Sequence, residues 1–160
     1  KVRIFSDGGC MAPNGVGGWA SLLQYADRDT CTGLYGAVVG ATNNTMELTG
    51  VIKGLEFLDT PHEVELISDS EYVVKGIKEW LPNWKLRGWR RSSGGQVANL
   101  QLWQKIDSLI GFHKVTPLWV PGHSGNPGNE WCDSMCLRAM GTPEIALNRI
   151  DGQFSELTTG

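Results

Sequence analysis

The hydrophobic pattern of the chain changes period several times, and each change marks an element. Lys1-Val-Arg-Ile-Phe-Ser6 alternates over β-favouring residues and stops at Asp7-Gly-Gly, which predicts a strand ending in a turn. Gly17 to Tyr25 and Cys31 to Val39 continue in the same style with short Gly and Asp punctuation, so the first three strands form an antiparallel meander. From Met46 to Leu58 the period shifts. Leu48, Val51, Ile52, Leu55 and Leu58 share one helical face, with Asn44 three residues before Glu47 as a start signal and Pro61 just beyond the end. Val64 to Ser68 predicts a fourth strand, Asp69-Ser70 a turn, and Glu71 to Trp80 a helix ended by Pro82. After an irregular stretch to Gln96, Val97, Leu100, Trp103, Ile106 and Ile110 mark a helix and Val115 to Val120 a fifth strand. Asn126-Pro127 supplies an N-cap and first turn for a last helix reaching about Met140. Residues 141–160 hold turn formers and weak periodicity and are expected to form a loosely held tail.

The order β-β-β-α-β-α-α-β-α predicts an α/β fold: a five-stranded mixed sheet, three antiparallel then two parallel strands, flanked by helices. Helical crossovers make the first, fourth and fifth strands parallel, and ligands gather at the carboxyl ends of such strands. A length of 160 residues with 41% hydrophobic and 19% charged positions fits one soluble domain. No apolar run approaches the roughly 20 residues of a membrane helix, and no charged-then-apolar leader opens the chain, so no membrane partner is expected. The four cysteines form no C-x-x-C pair and are expected to be reduced, in a cytoplasmic protein. Nothing in the pattern signals oligomerisation, and a monomer is expected. The 17 acids against 14 bases, net −3, argue against a nucleic-acid partner until the charges are placed along the chain.

Four of those acids converge. Asp7 ends strand one and Asp69 ends strand four, so both leave the sheet at the same edge. Glu47 lies in the first turn of its helix, one turn before the sheet-facing Val51. Asp133 sits in the last helix with Cys136 and Leu137 at i+3 and i+4, so it too should point inward. Singly, Glu47 reads equally as a capping-box residue, Asp7 and Asp69 as turn and cap residues, and Asp133 as an ordinary helix acid. Together they would repel unless a cation neutralises them, and hard oxygen ligands select Mg²⁺ or Mn²⁺ over zinc. Two such ions about 4 Å apart can activate a water and stabilise the leaving oxygen of a phosphodiester. His123, in a Gly/Pro-flanked loop on the same rim, adds an imidazole able to exchange protons near neutral pH.

These residues lie in stretches that resemble type 1 ribonuclease H of the bacterial form: Ser6-Asp-Gly-Gly-Cys10, Thr42-Asn-Asn-Thr-Met-Glu-Leu48, Ser68-Asp-Ser-Glu-Tyr-Val73, the segment Trp80 to Trp103, and Val120-Pro-Gly-His-Ser-Gly-Asn-Pro-Gly-Asn-Glu-Trp-Cys-Asp133. The resemblance covers residues 1–140 as a catalytic domain. It implies a ribonuclease H-like fold and an endoribonuclease that cuts the RNA strand of RNA:DNA hybrids, leaving 5′-phosphate and 3′-hydroxyl ends. It implies that Asp7, Glu47, Asp69 and Asp133 bind two Mg²⁺ ions, with Mn²⁺ as the other candidate, and that His123 assists product release. By the same resemblance Cys10, Asn43, Asn44 and Glu71 line the minor groove, whose 2′-hydroxyls mark the RNA strand, and Thr42 and Asn99 hold a phosphate of the DNA strand. Glu71 stands where a glutamine is common. The order of Pro13 and Asn14 departs from the usual Gly-Asn-Pro-Gly, so the asparagine's groove contact is not carried onto Asn14.

Charge is segregated as well. Residues 78–91 hold Lys78, Lys85, Arg87, Arg90 and Arg91 against Glu79 alone, together with Trp80, Trp84 and Trp89, three of the seven tryptophans. Cations meet phosphates and flat rings meet sugars or bases in strand-binding grooves, although such tryptophans can equally pack a surface loop. The family calls this region, about 78–98 here, the basic handle. Leu86, Ser92, Ser93, Gly94, Gly95 and Ala98 make it less lysine-rich than in many relatives, which implies weaker hybrid affinity. Two other readings share the acidic sheet: a related polynucleotidyl transferase or junction nuclease, and a non-catalytic hybrid-binding module. Asn43, Asn44 and the handle favour hybrid recognition over the first, and the presence of all four acids tells against the second.

Overall fold

The protein is described by a computed structural model covering residues 1–13 and 15–159, so Asn14 lies outside the described residues. Strands β1 (Val2–Cys10), β2 (Gly15–Tyr25) and β3 (Thr30–Ala41) form the antiparallel meander, while β4 (Glu63–Ser68) pairs parallel with β1 and β5 (Lys114–Trp119) parallel with β4. Among the described residues the sheet has six strands, not five. Asn148–Gln153 forms β6, antiparallel to β3 from Thr30↔Gln153 to Tyr35↔Asn148, and gives the order β5-β4-β1-β2-β3-β6.

The C-terminal segment is thus tied in rather than loosely held. The Phe154 N–H donates to the Asp29 carbonyl at 2.6 Å, the Ser155 N–H to the Asp29 carboxylate at 3.1 Å, and the Thr32 hydroxyl to Asp151 at 2.7 Å. Only alternate residues of β6 face the protein, and its apolar content is low. Its pairing therefore comes from main-chain bonds and short polar ties, which a hydrophobic-period reading does not register.

Helix α1 (Asn43–Phe57) starts one turn earlier than its apolar stripe. Its N-cap is Thr42, whose hydroxyl accepts from the Thr45 N–H at 3.1 Å while Thr45 bonds back to the Thr42 N–H at 2.9 Å. This Thr-Thr capping box replaces the one expected between Asn44 and Glu47, and it leaves Glu47 free for other work. Helix α2 (Glu71–Lys75) passes through a π-helical turn at Gly76–Trp80 into α3 (Leu81–Leu86). Pro82 does not end the helix. It has no N–H and would crowd the carbonyl four residues back, and the wider turn before it accommodates the ring. Helices α4 (Leu100–Phe112) and α5 (Pro127–Met140) and the short α6 (Phe154–Leu157) complete the chain, with Asn126 capping α5 as expected through a 3.0 Å bond from Asn129 N–H.

Two apolar layers sandwich the sheet. On one face Ile4, Trp19, Leu48, Val51, Leu55, Trp103 and Ile106 pack beneath α1 and α4; on the other Phe5, Leu22, Ile67, Trp131, Cys132 and Cys136 pack beneath α5. Adjacent residues Ile4 and Phe5 serve opposite layers, as the strand period requires. Trp131 lies 7% exposed against Gly33 of β3, where any side chain would meet its ring.

Candidate active site

β1 and β4 run side by side only from Val2↔Val64 to Phe5↔Ile67, after which β4 ends at Ser68 and the chain turns into α2. Asp7 is therefore not at the end of its strand, as the sequence suggests, but in the middle of β1, opposite Ala20 of β2 and open on the β4 side. By alternation it shares a face with Phe5, the face covered by α5. Glu47 arrives from α1 on the other face. The two meet because α1 lies almost on the backbone of β1: a Cβ on Gly8 would come 2.5 Å from the Glu47 nitrogen, and one on Gly50 2.8 Å from the Asp7 carbonyl. Asp69, the residue after β4, supplies a third carboxylate.

Oxygens of Asp7, Glu47 and Asp69 all lie within 4.8 Å of one another. The Gly8 N–H fixes one Asp7 oxygen at 2.9 Å, and a buried Glu47 oxygen has no hydrogen-bond partner among the described residues. Burial pushes the Asp7 carboxyl up to about 7, with the charge of Asp69 raising it further and the Gly8 N–H and the Glu47 carboxyl working against the shift; Asp133 adds a smaller push upward. Burial, then the charge of Asp7, holds Glu47 well above the ordinary carboxylate range. Such a cluster can hold a hard divalent cation: it offers oxygen donors only and an excess of negative potential.

Asp133, half-buried on α5, stands outside that trio but close enough for its charge to act on Asp7. His123 is exposed at φ 54° in the loop after β5, next to Gly122, whose position for a Cβ is 3.1 Å from an Asp69 oxygen. The loop thus brings the imidazole to the rim of the acidic cluster. The indole N–H of Trp119, at the end of β5, donates to the Asp69 carbonyl at 3.1 Å and ties the two parallel strand ends together.

The remaining candidate residues lie on β1, at the start of α1, on α2 and along the segment from the π-helical turn to the start of α4. The Cys10 N–H donates to the Asn43 side chain at 2.9 Å, joining β1 to the start of α1, while Asn44 is exposed. Glu71 is exposed and 3.8 Å from Lys75. In the handle, Trp80 and Trp84 stack in series, 6.1 Å between ring centroids, and Trp84 meets Trp103 edge-on at 5.5 Å, so both contribute to packing. Trp80 and Trp84 also line a 310 Å³ groove with Arg87 and Arg91. Lys85 is engaged by Asp107 of α4 at 3.1 Å, and the Trp89 N–H closes the turn onto the Trp84 carbonyl at 2.7 Å, with Trp89 at φ 64°. Asn99 precedes α4 in the left-handed region and does not cap it. Its amide instead donates to the Tyr72 hydroxyl at 3.1 Å, a partner that sequence reading missed because nothing in the local pattern links α2 to α4.

A carboxyl whose folded pKa lies above its unfolded value binds its proton more tightly in the native state, so its contribution to stability is full at low pH and lost as pH rises toward the folded value. Asp7 places that loss between about pH 4 and 7. In EDTA, the melting temperature is expected to fall by several degrees between pH 5.5 and 8, as ~2 kcal/mol in a chain of this size implies. Millimolar Mg²⁺ should raise it more at pH 8 than at pH 5.5. Equal melting temperatures at the two pH values in EDTA, by scanning calorimetry, would contradict the assignment.

Residues 1–140 match the family described as RNase H. The chain is 46% identical over 140 residues to a ribonuclease H of Pseudomonas savastanoi pv. phaseolicola, covering 88% of this chain and 93% of that one. It is likewise 46% identical over 144 residues to ribonuclease HI of Pseudomonas syringae pv. tomato, covering 88% and 92%. Among solved structures, LC9-RNase H1, described as a type 1 RNase H with the type 2 active-site motif, aligns over 99% of this chain and 81% of its own with a TM-score of 0.84 at 29% identity. LC11-RNase H1, solved with an RNA/DNA hybrid, shares the fold at 19% identity and a TM-score of 0.67 over 89% of this chain and 98% of its own. The acidic cluster between the middle of β1, the end of β4 and the start of α1 and these likenesses agree: the chain belongs to the ribonuclease H family, a family of divalent-metal-dependent endoribonucleases.

Proposed function

We propose that the protein hydrolyses the RNA strand of RNA:DNA hybrids, giving 5′-phosphate and 3′-hydroxyl ends, with Asp7, Glu47, Asp69 and Asp133 holding two Mg²⁺ ions, for which Mn²⁺ can substitute. The observation that carries the reading is the close carboxylate trio, with Asp7 buried and Glu47 and Asp69 half-buried, and the Glu47 oxygen without a partner among the described residues. Bound divalent ions supply a water activated for in-line attack and charge stabilisation at the leaving oxygen. The chain's own residues do the rest. The Gly8 N–H orients Asp7, and Trp119 fixes the backbone that presents Asp69. His123, on its exposed loop, carries a proton to or from the departing product, and its exposure at the rim suits a shuttle better than a ligand.

Cys10, Asn43, Asn44 and Glu71 face the minor groove in this reading. Thr42 and Asn99 take a phosphate of the DNA strand, and the groove of Trp80, Trp84, Arg87 and Arg91 follows the backbone further, with Lys85 and Trp89 on the handle. The solved complex of LC11-RNase H1 with an RNA/DNA hybrid supports this substrate class through a shared fold.

The test is cleavage of an end-labelled hybrid with Mg²⁺ and, separately, Mn²⁺, with double-stranded DNA and RNA as controls. Hybrid cut and both controls intact is the expected result; hybrid intact under both metals removes the proposal. His123→Ala should lower kcat by roughly 10², the worth of one positioned proton carrier, with measurable activity remaining. Asp69→Asn, which removes a carboxylate of the metal-holding trio, should lose nearly all turnover, and a loss as deep in His123→Ala would give His123 a more essential task.

A further inference from the structure

Asn99 is the N-terminal neighbour of α4, at φ 57° and ψ 36°, and spends no side-chain bond on the helix it precedes. Asparagine is among the non-glycine residues that enter the left-handed region readily, so the helix start leaves its side chain free to be placed by a neighbour. That neighbour is Tyr72. Its hydroxyl oxygen accepts from the Asn99 amide at 3.1 Å and from the indole N–H of the fully buried Trp103 at 3.0 Å. The phenol ring is itself wedged between Trp103, edge-on at 5.5 Å, and Trp80 at 5.7 Å.

A phenolic oxygen that accepts two N–H bonds still has one hydrogen to give, and the Asn99 amide has a second. Both hydrogens belong to half-buried residues at one place on the surface, and Asn99 there lines a shallow 540 Å³ concavity with Gln96, Ala98 and Gln101. Donors fixed from behind by a buried indole are preorganised for an oxyanion without needing a net positive charge. We propose that Tyr72 is the positioning residue of the DNA-strand phosphate contact: it holds the Asn99 side chain and turns that amide toward the phosphate. This rests on the reading of Asn99 as a phosphate contact given above.

Steady-state hybrid cleavage at saturating Mg²⁺ separates the two claims. Asn99→Ala is expected to raise KM about three- to tenfold, the worth of one hydrogen bond, with kcat within twofold. Tyr72→Phe, which keeps the ring, should raise KM in the same range, and the double variant should be no worse than Asn99→Ala alone. Unchanged KM in Asn99→Ala would remove the phosphate reading itself. A raised KM in Asn99→Ala with none in Tyr72→Phe, or full additivity in the double variant, would overturn the role of Tyr72. Tyr72→Phe also orphans the Trp103 N–H and should lower the melting temperature, so Ile106→Val, in the same buried layer but outside the network, serves as the stability control. KM unaffected in Ile106→Val supports the proposal; KM following melting temperature across all variants reduces Tyr72 to a packing residue.

Discussion

Asp7→Asn should make the metal-free protein more stable while removing nearly all of its activity. The native fold holds Asp7 only 6% exposed, between Glu47 and Asp69, and its carboxyl is pushed up to about 7 by that burial and by the Asp69 charge. At pH 8 the wild-type residue is therefore ionised at a cost that the unfolded chain does not bear. Asparagine is nearly the same shape, can still accept from the Gly8 N–H, and carries no charge. The gain at pH 8 in EDTA is expected to be about 2 kcal/mol by urea unfolding. The pH dependence described for the wild type should flatten with it. Cleavage should fall by at least about 10³-fold, since an amide oxygen cannot hold a divalent cation as a carboxylate does. Opposite signs for stability and activity separate a residue kept for chemistry from one kept for folding. A variant less stable than wild type in EDTA would contradict the electrostatic account.

Gly8→Ala should cost both stability and activity, by a different route. The new Cβ would lie 2.5 Å from the Glu47 nitrogen and closer still to the Met46 carbonyl group, against helix backbone that cannot rotate away. Either α1 lifts from β1 or the strand bends, and overpacking against backbone costs about 3 kcal/mol. Because the same approach brings Glu47 to Asp7, a displacement of about 1 Å should lower kcat roughly 10²-fold even in the folded fraction. Gly111, within α4 and with open space where a Cβ would sit, is the contrasting site. Gly111→Ala should stabilise the protein by up to ~1 kcal/mol with kcat unchanged.

The apolar periodicity made most of this architecture legible from residues alone. The meander, the parallel strands and the capped α5 follow from where apolar positions repeat and where Asn, Gly and Pro interrupt them. Strand direction and helical phase are enough to bring Asp7, Glu47 and Asp69 together, although Asp7 sits within β1 rather than at its end and Asp133 stands outside the trio. What escaped has identifiable physical causes. Thr42 outcompetes Asn44 as the cap because its hydroxyl and that of Thr45 bond reciprocally, a contest that spacing cannot decide. The π-helical turn answers a local clash around Pro82. The Tyr72–Asn99–Trp103 network joins residues 27 and 31 positions apart, through side chains with no periodic signature.

The sixth strand also governs how this molecule meets others of its kind. Without β6, the 12-residue β3 would be the rim of the sheet, its main-chain N–H and C=O groups from Thr30 to Tyr35 free to template another chain. β6 replaces that long rim with a six-residue one bearing the Arg149–Asp151 ion pair, N to O 3.0 Å. Charged, short rims discourage strand addition. A chain cut back to its first 140 residues should therefore self-associate at concentrations where the full chain stays dispersed, whatever becomes of its nuclease chemistry.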